Sequence, residues 1–543
     1  MSRRRTLVLA VLASALATAP GAHANSRQES TFQDDNLLVY GKPQEVDATL
    51  QTLGELGVDR VRVSVFWKLV APAGTSATKP DGFDGADPAA YPKGAWDRYD
   101  TLVRLAAQHG IGVNLDVTAP APNWATGTPD RADLDPTYEP DPAEFGAFVR
   151  ALATRYSGSY VPPEPAATAS ANGGGGLLPL PRAAAATDGA LPRVDYWSVW
   201  NEPNQAGWLT PQWTPDPHSA KHWVPAAPRI YRGLVDAAWS ALQATGHGRD
   251  TILVGETAPK GLLGRPGPTR AIDAQRFIRS LYCLDDHLQF LRGASARAQG
   301  CPSGGQVQAF PAQHPALFAA TGWSHHPYEL TFSPSHPARH RDEWVTIANL
   351  GDLGRLLRLI NERYGRGAVR VPLYLTEFGY QTKPPDPLGV SPATQARYLN
   401  EAEYIAWRNP AVRTLAQFLL VDDGPPIGTT FQSGLLTADR TPKPALTSYA
   451  LPVWLPQPRI RRGRALRVWG LVRSAPNGRS PRVAIQVRDR GATAWRTLRT
   501  VAAEPRHGYL NARVRVSRSG TLRLMYASGG RIRFSRGARF SVR

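Results

Sequence analysis

Short runs of β-branched and aromatic residues alternate with longer segments of helical spacing along most of this chain, and that alternation restricts its fold most. Strands separated by helices do not close as hairpins; they align in parallel, with the helices carrying the chain back across the outside. Strand-like runs fall at 37–40, 61–67, 111–117, 194–199, 251–256, 323–328, 373–377 and 415–422. Between the first two, segment 44–56 sets Val46, Leu50, Leu53 and Leu56 at helical spacing and closes at Gly57. Helical segments recur at 96–108, 142–156, 228–243, 274–291, 350–364 and 393–407. Eight strands with helices between them predict a (β/α)8 TIM barrel over 25–454.

Two stretches break the pattern. Segment 157–193 holds Gly173-Gly174-Gly175-Gly176, an alanine run and several prolines, and reads as a poorly ordered, low-complexity insertion. It enters at the amino-terminal end of the fourth strand, the face away from chemistry in such barrels. From 455 the composition shifts. Residues 459–543 carry 22 arginines and no lysine against only Asp489 and Glu504, which more than accounts for the net charge of +19. Period-two runs such as Arg513-Val514-Arg515-Val516, with glycine and proline turns, predict a small all-β sandwich over 455–543. So basic a face attracts anionic polymers, acidic polysaccharide among them. The lack of lysine also fits a plain preference for arginine, and then the sandwich is a structural appendage. Nothing in it resembles a nucleic-acid-binding module.

At the other end, Arg3-Arg4-Arg5, an apolar stretch over 7–17 and Ala22-His23-Ala24 read as a signal peptide over 1–24. The apolar stretch is too short to span a bilayer comfortably, and the alternative reading is an uncleaved anchor. The expectation is a secreted, extracellular monomer, free of membrane after cleavage. In an oxidising compartment Cys283 and Cys301 are expected to pair, closing a loop worth on the order of 3 kcal/mol. No metal or other cofactor is expected.

The chemistry-bearing residues sit at strand ends. The run 194–199 leads into Trp200-Asn201-Glu202-Pro203-Asn204, where Pro203 stops the strand and leaves a carboxylate at its carboxyl end. Far down the chain, Leu373-Tyr374-Leu375-Thr376-Glu377-Phe378-Gly379 delivers a second one. Between them, Trp323-Ser324-His325-His326-Pro327-Tyr328 brings imidazole and phenol groups to another strand end. Two strand-end carboxylates with polar aromatics around them suit glycoside hydrolysis.

With these motifs the chain resembles glycoside hydrolase clan A, the retaining (β/α)8 glycosidases, and families 39 and 5 most closely, over about 36–450. The resemblance implies that O-glycosidic bonds of a carbohydrate are cleaved by double displacement. It implies Glu202 as acid/base and Glu377 as nucleophile. Asn201 matches the asparagine that meets the sugar's 2-hydroxyl, Tyr328 the tyrosine that holds the nucleophile, and His326 the histidine of the His-Pro-Tyr pattern. Arg62 is similar to an arginine beside the nucleophile. Where many clan members place a tryptophan under the sugar, Leu420, Val421 and Asp422 stand here, which shifts the platform to Trp323 or Trp124. Glu256 either binds a substrate hydroxyl or is structural, and Asp116 is structural. Two other functions stay open: a carbohydrate-binding or wall-associated protein on an inactive barrel, against which both glutamates speak, and a transglycosylase. The basic segment holds no second carboxylate pair, so the barrel is expected to act without it.

Overall fold

The computed structural model describes residues 28–163 and 189–543, apart from 217–218, 303, 341 and 476–477. The signal-peptide reading and most of the low-complexity insertion lie outside the described residues. A closed barrel of eight parallel strands forms the larger domain: β1 (Glu29–Gln33), β2 (Arg60–Phe66), β3 (Gly112–Thr118), β4 (Tyr196–Val199), β5 (Thr251–Thr257), β6 (Gly322–His325), β7 (Leu373–Leu375) and β8 (Val412–Phe418). Each strand pairs in parallel with its chain neighbours, and β1 closes on β8 through pairs such as Thr31 with Ala416. The (β/α)8 expectation is therefore met.

The period of two explains β2. Val61, Val63 and Val65 are fully buried in the apolar layer, while Arg62 between them points to the barrel axis and bonds to residues of other strands. Helices such as Pro43–Leu56 and Ala227–Ala244 bury one apolar face on this layer.

Two elements differ from expectation. The first strand is not 37–40 but Glu29–Gln33; Asp35–Leu38 is a short helix instead. The Asp34 side chain accepts from the Leu37 backbone N–H at 3.2 Å, an N-cap that turns an apolar run helical. The helix expected over 274–291 ends at Leu281. Cys283 follows in a left-handed conformation (φ 57°), and the Asp285 side chain then accepts from the backbone of His287 and Gln289, a turn that cannot continue a helix. Cys283 and Cys301 form the expected disulfide, their Cα atoms 5.6 Å apart.

The carboxyl-terminal domain is the expected sandwich of two sheets. One contains β9 (Val453–Trp454), β11 (Ala465–Leu471) and β14 (Tyr509–Arg515). The other contains β10 (Arg459–Ile460), β12 (Arg482–Asp489), β13 (Arg496–Ala502), β15 (Gly520–Ser528), β16 (Arg531–Phe534) and β17 (Ala538–Val542). Leu466, Val468, Val483, Ile485, Leu522 and Leu524 fill the space between them.

The sandwich is fastened to the barrel. Trp469 and Tyr509 pack with Tyr404 and Trp407 of the last large barrel helix, Pro392–Arg408. Arg473 donates to Glu403 at 2.6 Å and to the Tyr449 carbonyl at 3.0 Å, and reaches Ser30 on β1. Its guanidinium also lies 4.0 Å from the centroid of the Tyr449 ring. All these contacts lie away from the strand-end glutamates.

Candidate active site

The carboxyl ends of β4 and β7 deliver Glu202 and Glu377 to one opening of the barrel. A carboxylate oxygen of each and a ring nitrogen of His326 lie within 4.8 Å of one another. The pocket above them has a volume of about 470 Å³. Glu202 and Glu377 keep 20% and 12% of their side chains exposed to it.

The backbone is strained where it presents these groups. Trp200 and Glu202 after β4, Glu256 within β5 and Leu419 after β8 all have positive φ, at 66°, 37°, 43° and 71°. For such side chains this region costs on the order of 1–3 kcal/mol each, so it persists only where surrounding bonds impose it. Here the Glu202 N–H donates to the Glu256 carbonyl, and the Leu419 N–H to the Gln33 carbonyl. A register shift in β5 between Val254 and Thr257 turns Glu256 toward the axis.

Beneath the pocket lies a buried polar network centred on Arg62. Its guanidinium donates to Glu377 at 2.8 Å, Asn201 at 2.7 Å, Gln33 at 2.5 Å and Glu256 at 3.1 Å, and stands 3.0 Å from Asp116. Burial opposes its charge, but Asp116, Glu256 and Glu377 outweigh burial and hold Arg62 firmly ionised. His326 bridges Glu202 at 2.9 Å through Nδ1 and Glu256 at 2.8 Å through Nε2. Burial alone lowers its pKa; Glu377, Glu202 and Glu256 together lift it to about 10, so the ring is an imidazolium at neutral pH. Glu256 is pushed up by burial, yet Arg62 and His326 bring it down to about 2. Burial raises Asp116, and Arg62 opposes that rise while Glu256 and Glu377 add to it.

The two glutamates differ in their partners. Glu377 accepts from Arg62 on one oxygen and from the Tyr328 hydroxyl, 3.1 Å away, on the other. Glu202 accepts from His326 alone among the described side chains. The Arg62 bond to Asn201 Oδ1 fixes the amide so that its Nδ2 is left for the pocket, which Asn201 lines.

The structure thus brings Glu202, Glu377, Asn201, Tyr328, His326, Arg62 and Glu256 together. Arg62, His326 and Glu256 are fully buried, however, and hold other side chains instead of lining the pocket. Both tryptophans proposed as sugar platforms fall outside it. Trp323 is 2% exposed with its indole N–H toward Thr257, and Trp124 packs edge-on against Trp67 and Phe83. The aromatic wall is made by Phe66, Trp208, Phe418 and Phe431. Trp208 lies parallel to Phe66, ring centroids 6.3 Å apart. The sequence signal for it was its place in the loop just after Glu202. Asp422 turns inward onto Lys443 at 2.7 Å.

No protein-family model matches the chain, and no curated protein matches it. Among solved structures it is similar to a glucosidase from Croceicoccus marinus, at 14% identity over 95% of this chain and 97% of that one, with a TM-score of 0.46. It is also similar to a family 1 β-glucosidase from Thermotoga maritima (13%, 75% and 85%, TM-score 0.41). A β-glucosidase from Exiguobacterium marinum gives 14%, 75% and 86%, with a TM-score of 0.43. At such identities the named activities remain those proteins' own.

Proposed function

We propose that this chain is an exported retaining glycoside hydrolase of the clan A type, with Glu377 as nucleophile and Glu202 as acid/base. The observation that carries the reading is the unequal pair of carboxylates within 4.8 Å of each other. Retaining enzymes hold their two carboxyl groups about 5–5.5 Å apart, close enough for one to attack the sugar directly; inverting enzymes leave about 6.5–9.5 Å for a water. The partners then assign the roles. A nucleophile must stay anionic and fixed, and Glu377 is held by a buried guanidinium and a phenol. An acid/base must gain and lose a proton each cycle, and Glu202 has one imidazolium partner and an open side. In the first step a Glu377 oxygen bonds to the anomeric carbon while Glu202 gives its proton to the departing oxygen. In the second, Glu202 takes a proton from water, which displaces Glu377. The Asn201 amide, locked by Arg62, is aimed to donate to a hydroxyl beside the reacting carbon.

The pocket also bears on the sugar. Its one cation among the described residues, Lys260, is paired with Glu329 at 3.1 Å, while Asp35 and Asp423 add acidic groups to the lining. Such a lining favours a neutral glycoside over a uronate.

Role-separating variants test this. Glu377→Gln is expected to lose on the order of 10⁴-fold or more in kcat on every substrate, with unchanged folding by circular dichroism. Glu202→Ala is expected to give a burst on a dinitrophenyl glycoside, then slow turnover that azide accelerates, with formation of a β-glycosyl azide if the substrate is a β-glycoside. Azide rescue of Glu377→Ala instead, to the inverted azide, reverses the roles; wild-type rates in both variants end the proposal.

A further inference from the structure

A second cavity, larger than the barrel pocket, lies where the two domains meet. It has a volume of about 850 Å³ and is walled by six arginines: Arg408 from the last large barrel helix, and Arg459, Arg461, Arg464, Arg467 and Arg513 from the sandwich. Five are exposed and Arg467 is half-buried. No carboxylate is paired with any of the six among the described residues, whereas Arg62 and Arg473 are each matched by acids.

The strand register sharpens the point. Arg467 on β11 stands directly opposite Arg513 on β14 in the antiparallel ladder. Like charges in that position repel across about 5 Å and destabilise the sheet. An anion between or above them would relieve the repulsion. Planar guanidinium forks suit carboxylate, sulfate or phosphate oxygens. Tyr404 and Ile460 in the wall are buried, and its other apolar members are the small side chains of Pro456 and Ala465, so among the described residues the groove offers no aromatic platform for a base and no broad greasy face for a bilayer.

We propose that this junction groove binds an acidic polysaccharide, gripping carboxylate or sulfate groups along the chain and anchoring the protein to an anionic matrix. Binding here is independent of hydrolysis at the barrel mouth, whose lining disfavours the same charged sugars; only the choice of a glycan rests on the glycosidase reading. The test uses the full-length protein and three probes of equal charge concentration: polygalacturonate, a DNA duplex and phosphatidylglycerol vesicles. Neutral hydroxyethyl cellulose is the blank. Wild type is expected to bind polygalacturonate most tightly, more weakly at 200 mM than at 50 mM salt. Arg461→Gln/Arg464→Gln/Arg513→Gln is expected to weaken that binding about tenfold or more. The same number of changes elsewhere on the sandwich, Arg482→Gln/Arg499→Gln/Arg506→Gln, is expected to leave it within about twofold. Polygalacturonate should also raise Tm in wild type and in the control triple but not in the groove triple, which excludes unfolding as the cause. Equal losses in both triples would mean diffuse charge and no groove. Tighter binding of DNA or vesicles than of polygalacturonate would overturn the polysaccharide assignment. Loss of catalysis in Glu377→Gln with binding intact would leave the groove standing by itself.

Discussion

Arg62 and the arginines of the junction groove are the same residue in opposite circumstances. Arg62 has no exposure and meets three acids, an asparagine and a glutamine; the groove arginines face water and meet one another. In the first case the fold has already supplied the counter-charges, and the guanidinium serves to hold a carboxylate, Glu377, in place. In the second, the counter-charge has to come from outside. The difference should appear as a difference in stability. Arg62→Met is expected to cost about 3–5 kcal/mol in urea unfolding, because it leaves buried acids unpaired. Arg482→Gln, on the exposed sandwich surface, is expected to stay within about 0.5 kcal/mol. Similar costs for the two would break the comparison.

Arg473 sharpens it from the other side. It belongs to the sandwich by sequence but is treated as a barrel residue: 7% exposed and bonded to Glu403, the Tyr449 carbonyl and Ser30. Arg473→Met is expected to cost about 3 kcal/mol, and adding Glu403→Met to recover much of that loss, since the buried acid is then gone too. Full additivity of the two changes would show that the pair does not interact. The same bonds mean that a chain ending at 454 exposes Trp407 and leaves Glu403 without Arg473. The expectation that the barrel acts by itself therefore applies only if that shortened barrel folds.

The barrel was legible because parallel strands buried on both faces announce themselves as apolar runs; 61–67 and 251–256 were found within a residue or so. β1 was missed because Glu-Ser-Thr-Phe-Gln has only Phe32 to announce it, and because Leu37 and Leu38 next to it look more strand-like than they are once Asp34 caps them. Glu202 and Glu377 were legible as acids at the ends of strand patterns. Their neighbours were legible in kind but not in depth. Whether His326 or Glu256 touches solvent depends on a bulge in β5 and on strained residues that no periodicity encodes. Trp323 illustrates the limit: a tryptophan at a barrel strand end points either into the mouth or into the helical layer, and its register sends it into the helical layer, against Tyr282.

Proton equilibria separate the two regions next. His326 has a folded pKa of about 10 against 6.5 in the free side chain. Its contribution is fully present below pH 6.5 and is lost as pH rises through 10, where the ring sheds the proton it shares with Glu202 and Glu256. The total is on the order of a few kcal/mol. The junction groove is lined by no histidine or carboxylate among the described residues, so binding there should be insensitive to this range. Thermal unfolding of wild type and His326→Gln from pH 6 to 10 is the measurement, and the gap between them should close toward pH 10. Glu256, lowered to about 2, behaves in the reverse sense: its contribution is present above pH 4.5 and fades as pH falls toward 2. A gap that stays constant across the alkaline range would mean that His326 carries no proton of consequence.

The smallest expected effect is the most direct check on the groove. Arg513 faces Arg467 across the β11–β14 ladder, and among the described residues Arg467 is steadied by Asn511, whose Oδ1 accepts from its Nε at 2.9 Å. Removing one charge should relieve repulsion, so Arg513→Gln is expected to raise Tm by about 1–2 °C at low salt in the absence of ligand. The gain should vanish near 1 M salt, where screening acts within about 3 Å. Few surface substitutions on a folded domain stabilise it, so the sign matters more than the size. An exposed arginine can also lay its methylene stem across a sheet, and if that packing dominates, Tm should fall at every salt concentration. That result would make the sandwich arginines structural, as Arg473 is, and would remove the electrostatic reason for an anion in the groove. A rise that salt abolishes keeps the two kinds of arginine distinct: one neutralised by the fold, the other held in readiness for a charge the protein does not itself contain.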